Sequence, residues 1–206
     1  MNTVILAVTA YFLGSIPNAL WIGKVFKGID IREHGSKNTG STNAARVLGT
    51  KLGILTLILD IGKGALPTAL AILTNANLIE QITGIIGSDA IFIGIFAIIG
   101  HSFSIFMKFR GGKAVATTVG VFTVLVPIAI LFAAIVFFTV FGISKYVSLS
   151  SIIAAASLPI LIFVLYKNIP LTIFGIIIAA LIILKHKSNI ERLKNGTETK
   201  FTMKKK

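Results

Sequence analysis

The chain has 206 residues, of which 55% are hydrophobic and only 13% charged, with a formal net charge of +13 and no cysteine. A mean hydropathy of +0.92 and about half the usual share of charged residues exclude a water-soluble globule. The absent thiols exclude disulfide and thiolate chemistry.

Runs free of Asp, Glu, Lys and Arg cover 1–23, 64–79, 91–107, 114–144, 146–166 and 168–184. About 20 apolar residues rising ~1.5 Å each cross ~30 Å of hydrocarbon. The pattern therefore predicts an all-α, polytopic membrane helix bundle forming one domain over 1–206. The first span is expected over Thr3–Gly23. It reads as a retained span, because no basic leader and no small-x-small cleavage site accompany it. A polar loop, 24–51, follows and holds Lys24, Lys27, Arg32, Lys37, Arg46 and Lys51. The next span is expected near Leu52–Leu73. The loop 75–89 has no basic residue and carries Glu80 and Asp89. A third span is expected near Ile85–Phe106, before a short basic loop with Lys108, Arg110 and Lys113.

The run 114–144 would be about 46 Å long as one helix, too long for one untilted crossing. Pro127 near its middle predicts two short helices instead, either crossing fully or forming a hairpin. Spans over 146–166 and 168–184 complete the bundle, and the tail from Lys185 carries eight basic residues. The positive-inside rule then puts the three basic segments in the cytoplasm and 75–89 outside. Parity gives seven transmembrane helices, an outside N-terminus and a cytoplasmic C-terminus. Topology accounts for the basic excess, and no nucleic-acid recognition motif accompanies it.

Three segments on the cytoplasmic face carry the unusual residues. "HGSKNTGSTNAAR", His34–Arg46, groups Ser36, Asn38, Thr42 and Asn43 around Gly35 and Gly40. Glycines let backbone N–H groups converge on an anion, and a guanidinium grips phosphate bidentately. The alternative is a solvated loop and a helix cap. In "FRGGKAVAT", Gly111, Gly112 and Lys113 precede an apolar helix, so amides, a helix N-terminus and one lysine can face an anion. The G-x-x-x-x-G-K-[ST] spacing of a nucleotide P-loop is absent. A tight loop with an anchoring lysine is the other reading. In "KHKSNIERLKNGTETK", His186, Asn189 and Arg192 share one face if the last helix continues; an ordinary basic tail is the alternative. Within the spans, His101 reads as a structural hydrogen bonder. Asp60 and Lys63, three apart, are either a packing pair or functional ionisable groups.

Taken together, "GSIPNALWIGK", "GSKNTGSTNAAR", "LDIGKGALP", "GHSFSIFMKFRGGKAVAT" and "HKSNIERLKNGTE" resemble the bacterial acyl-phosphate:glycerol-3-phosphate acyltransferases over nearly the whole chain, in the family's order. That resemblance implies a membrane enzyme of phospholipid synthesis in the bacterial inner membrane. It would move a fatty acyl group from acyl phosphate to the 1-hydroxyl of sn-glycerol 3-phosphate, with the site at the cytoplasmic face. It implies catalytic roles for Ser36, Arg46, His186 and Asn189, glycerol 3-phosphate binding at Gly111 and Gly112, and a structural role for Glu198. Ser36, Asn38, Gly40, Thr42, Asn43, Arg46 and Lys113 are the further expected phosphate contacts.

Three positions depart from the family pattern: Ala114 where glycine is usual, Ser104 where proline is common, and Ser41 where alanine is common. No metal cluster and no cofactor is expected. No Ser-His-Asp or H-x-x-x-x-D arrangement is evident. A substrate phosphate oxygen is therefore the expected proton acceptor, with His186 the protein alternative. The competing function is a transporter or channel for an anionic solute. Such proteins concentrate polar residues near the midplane rather than on one face.

Overall fold

The computed structural model describes residues 2–85 and 87–201, and no strand forms among them. The helices are α1 (Thr3–Ser15), α2 (Asn18–Lys27), α3 (Ser41–Leu48), α4 (Thr50–Leu73), α5 (Leu78–Thr83) and α6 (Ser88–Ser102), followed by α7 (Val115–Leu125), α8 (Pro127–Ser144), α9 (Val147–Tyr166), α10 (Ile169–Lys185) and α11 (Lys187–Lys194). Short 3-10 turns lie at Ile31–Glu33 and Ile105–Met107.

Four stretches are long and apolar enough to cross a bilayer alone: Thr50–Leu73, Ser88–Met107, Pro127–Ser144 and Val147–Tyr166. The bent pairs α1/α2 and α10/α11 raise the number to six if each is one span. The first span is thus not the continuous helix expected from Thr3 to Gly23; it bends by 44°. Pro17 has no N–H to donate and forces its predecessor out of the helical region, and Ile16 takes φ −57°, ψ 116°. The run 114–144 breaks beside Pro127, as its sequence suggests, with Val126 at φ −144°, ψ 65°. The two pieces are unequal. α7 has 11 residues, about 16 Å, roughly half a bilayer core.

The chain divides after Leu125 into two compact units. In the first, α1 packs along α6 and α4 along α7. Small residues permit these approaches: a β-carbon on Gly14 would overlap the Ala97 carbonyl, and one on Gly120 the Ile61 carbonyl. Close backbone packing of this kind holds helices together where lipid supplies no hydrophobic drive. The starts of α1 and α6 meet through buried Asp89, which accepts from Thr3 Oγ1 at 2.6 Å and from the amides of Ile79 and Glu80 at 3.1 and 3.0 Å. Their ends meet where Ser104 Oγ donates to the Ser15 carbonyl at 2.5 Å. The two helices therefore run in the same direction, and both polar segments of this unit emerge at one end. In the second unit, α9 packs between α8 and α10.

Candidate active site

The first segment is built on a small apolar core. Ile31 is fully buried with Ala19, Leu20, Ile22, Ala44, Leu48 and Met107. Asp30 stabilises the turn that carries Ile31. Its Oδ1 accepts from the Arg32 amide at 3.0 Å, and the Arg32 guanidinium grips both oxygens at 2.9 and 2.6 Å. The guanidinium hydrogen bond outweighs an upward push from burial and, with the Arg32 amide and the charges of Arg32 and Lys24, pulls the Asp30 carboxyl down to about 2.

Beyond this turn, Gly35 adopts φ +58°, a left-handed conformation that glycine tolerates. A side chain there would overlap Asn43 Oδ1. Asn43, 2% exposed, closes the loop. Its Oδ1 accepts from the Ser36 amide at 2.9 Å, and its Nδ2 donates to the carbonyls of Ile31, His34 and Asn38 at 3.3, 3.1 and 3.0 Å. The Asn43 amide, expected as a phosphate contact, thereby braces the loop. Helix α3 starts after Gly40 with no side-chain cap and no acidic residue in its first turn. That leaves its amide end suited to an anion. Asn43, Ala44 and Leu48 form the buried face. Thr42 and Arg46, four apart and only partly buried, share another face, and Ser36 stands exposed beside them in sequence.

The second segment folds back on the end of α6. The Gly111 amide donates to the Ser102 carbonyl at 3.2 Å and the Gly112 amide to the His101 carbonyl at 3.1 Å. A β-carbon on Gly111 would overlap the His101 carbonyl, and one on Gly112 the His101 ring at Nε2. These glycines are needed for close approach to α6, and their amides donate to its carbonyls. Lys113 and the start of α7 remain the phosphate-facing candidates of this segment. The family departures take defined places. Ala114 is buried at φ +60°, the backbone region where the usual glycine carries no steric cost. Ser104 uses its hydroxyl to reach Ser15. Met107 joins the core formed by Ile31, Ala44 and Leu48, so the first two segments share one support.

The third segment belongs to the second unit. The last helix does not continue straight; α10 and α11 meet at 58°, with His186 between them. His186 is buried, and its Nδ1 lies 2.8 Å from the Ile182 carbonyl. A carbonyl can only accept, so Nδ1 carries a proton. Glu198 gathers the tail: it accepts from Ser148 Oγ at 2.6 Å, Asn189 Nδ2 at 2.7 Å and Arg192 Nε at 2.7 Å. Burial pushes the Glu198 carboxyl up, but these three hydrogen bonds and the Arg192 charge together hold it below the usual carboxylate range. Asn189 is thus oriented by Glu198. Sequence reading missed Asp30, Ser148 and Asn18 as supports. Ser148 and Asn18 have partners 50 and 42 residues away, so nothing local marks them, whereas Asp30 pairs with Arg32 two residues on. Among the described residues, no three His, Asp or Glu side chains gather to hold a metal ion.

The description "glycerol-3-phosphate acyltransferase" belongs to the family whose pattern matches residues 4–196. A glycerol-3-phosphate acyltransferase of Fusobacterium nucleatum subsp. nucleatum is 47% identical over 94% of this chain and 95% of its own. One of Streptococcus pneumoniae (strain Hungary19A-6) is 44% identical over 96% of this chain and 92% of its own. The crystal structure of PlsY, an integral membrane glycerol 3-phosphate acyltransferase, in its glycerol 3-phosphate form superimposes with a TM-score of 0.87 at 38% identity, covering 97% of this chain and 96% of that one. Its lysophosphatidic acid form gives 0.85 at 37% identity, covering 98% and 96%. The chain therefore belongs to the glycerol-3-phosphate acyltransferase family of integral membrane enzymes.

Proposed function

We propose that this enzyme takes its acyl group from acyl phosphate and delivers it to the 1-hydroxyl of sn-glycerol 3-phosphate at the cytoplasmic face of a bacterial inner membrane. The observation that carries the reading is the Asn43-braced loop. It presents Ser36, Thr42 and Arg46 on the same apolar support as the segment bearing Lys113. Both substrates carry phosphate, one is water-soluble and the other has a lipid tail. A polar cradle at the rim of an apolar bundle suits both.

In the reaction the glycerol O1 attacks the acyl carbonyl carbon. The bond from that carbon to the phosphate oxygen breaks, and 1-acylglycerol 3-phosphate and phosphate leave. The anhydride is already activated, so positioning and charge stabilisation are the main demands on the protein. Arg46 and Lys113 supply positive charge, and Ser36, Asn38 and Thr42 supply hydrogen bonds. A substrate phosphate oxygen takes the hydroxyl proton. His186 and Asn189 are the catalytic side chains of the third segment. The whole chain acts as one domain with seven crossings, α7 being a short one over which the bilayer thins, and with the tail inside.

A transporter reading draws on Asp60 and Lys63 alone. They form a mutual ion pair at 2.9 Å, which gives that reading no open charge. The test is purified protein incubated with acyl phosphate and glycerol 3-phosphate. Stoichiometric release of phosphate and lysophosphatidate is expected, with no product from acyl-CoA. Folded protein that makes no product, or that uses acyl-CoA equally, overturns the donor assignment.

A further inference from the structure

Three buried polar side chains and the partly buried Asn18 meet inside the first unit. Asp60 is 1% exposed, His101 6% and Lys63 8%. Asp60 Oδ1 accepts from Lys63 Nζ at 2.9 Å and from Asn18 Nδ2 at 2.9 Å, and it faces His101 Nδ1 at 3.9 Å. Lys63 Nζ also donates to the Ile16 carbonyl at 2.8 Å. Each member belongs to a different structural job. Ile16 and Asn18 flank the break at Pro17. That break aims α2 toward the first segment. His101 ends α6 and holds the second segment, through its carbonyl on the Gly112 amide at 3.1 Å and through its ring against the Gly112 α-carbon.

Simple helix pairing does not explain this arrangement. An ion pair that only fastened α4 to a neighbour could lie anywhere along the helix. Ionisable groups in a bilayer are costly, and they persist where they line or support a site. Here one carboxylate oxygen bonds the broken first span and faces the imidazole that backs the second segment. Lys63 pairs with the carboxylate and also donates to the Ile16 carbonyl at the break. The unit's two polar segments are therefore tied to one buried anchor.

We propose that Asp60 and His101 are positioning residues for glycerol 3-phosphate: Asp60 holds the His101 ring, and the ring sets the path of Gly111–Lys113. The inference rests on the reading that this segment binds glycerol 3-phosphate. Asp60 and His101 touch no substrate. Their effect is on the loop, so it falls on one substrate and not the other.

The experiment compares Gly112→Ala, Asp60→Asn, His101→Gln and the Asp60→Asn/His101→Gln double variant, each checked for folding by gel filtration and thermal melting in detergent. Gly112→Ala is the benchmark for the loop. Asp60→Asn is expected to raise KM for glycerol 3-phosphate about tenfold, a loss of about 1.4 kcal/mol, while KM for acyl phosphate stays within twofold. His101→Gln is expected to do the same. The double variant is expected to be no worse than the poorer single one, because both act through one path. If Gly112→Ala leaves the glycerol 3-phosphate constant unchanged, the loop reading fails and the inference falls with it. If Gly112→Ala raises it but folded Asp60→Asn and His101→Gln do not, only the inference fails. Multiplying effects in the double variant, or equal rises for both substrates, also overturn it. Should Asp60→Asn not fold, His101→Gln leaves the Asp60–Lys63 pair intact and decides the matter by the same KM split.

Discussion

Replacing Asn43 by aspartate separates a loop brace from a substrate contact. The two side chains have nearly the same shape. The carboxylate would still accept from the Ser36 amide, now at 2.9 Å. Its second oxygen would replace Nδ2 and face the carbonyls of Ile31, His34 and Asn38, which lie 3.0–3.3 Å away. Two donated protons are lost at a residue 2% exposed, and like partial charges are set against one another. Each buried group left unsatisfied costs about 1–3 kcal/mol, so the expected destabilisation is about 2–4 kcal/mol. For a chain of this size that lowers Tm by about 4–16 °C. The new carboxyl is expected to titrate above the usual carboxylate range, since only its neutral form can donate to a carbonyl. The penalty should therefore be full at high pH and shrink as pH falls through the raised value. Thermal melting in detergent between pH 5 and 8 measures this, with acyl transfer followed in parallel. Asn43→Asp that melts like the parent at every pH, yet loses activity, would return Asn43 to direct contact with substrate.

Other outcomes follow from the same geometry. Arg46→Ala should lower turnover about 10²–10³-fold, the usual cost of removing one charge-stabilising donor, in protein that still folds; near-parental turnover removes Arg46 from the site. Glu198→Gln should weaken the tail's attachment to the start of α9 by about 1–3 kcal/mol, read as a lower Tm at neutral pH. Because the Glu198 carboxyl is held below its ordinary value, its contribution is present above the ordinary carboxylate range and lost as pH falls through the lowered value. The parent should therefore show an acid decline in stability that Glu198→Gln lacks; identical slopes refute the assignment. A single cysteine at exposed Lys194, in a chain that has none, should resist a membrane-impermeant thiol reagent in intact cells and react after permeabilisation. Labelling from outside would reverse the proposed orientation of the tail.

Much of this protein could be read from its residues. Hydropathy summed over about 20 positions decides membrane insertion, because transfer into hydrocarbon depends on composition and hardly on neighbours. The polar segments at 34–46, 109–117 and 185–200 stand out against that background for the same reason, and their motifs carry the family. What a side chain does within a segment is a different matter. Asn43 and Thr42 both look like phosphate donors in sequence. Only the fold shows that Asn43 turns inward to three carbonyls while Thr42 shares the face of Arg46. Gly111 and Gly112 suggest an amide nest, but the approach of α6 occupies their amides. Proline gives the clearest case. Pro67 and Pro159 lie inside continuous helices, whereas the chain breaks at Pro17 and beside Pro127. Local sterics are the same at all four. In a bilayer a break persists only where some group can satisfy the released backbone. At Pro17 the Ile16 carbonyl accepts from the nearby Asn18 amide and from Lys63, 47 residues away on another helix, and no local reading of the sequence could bring that lysine there.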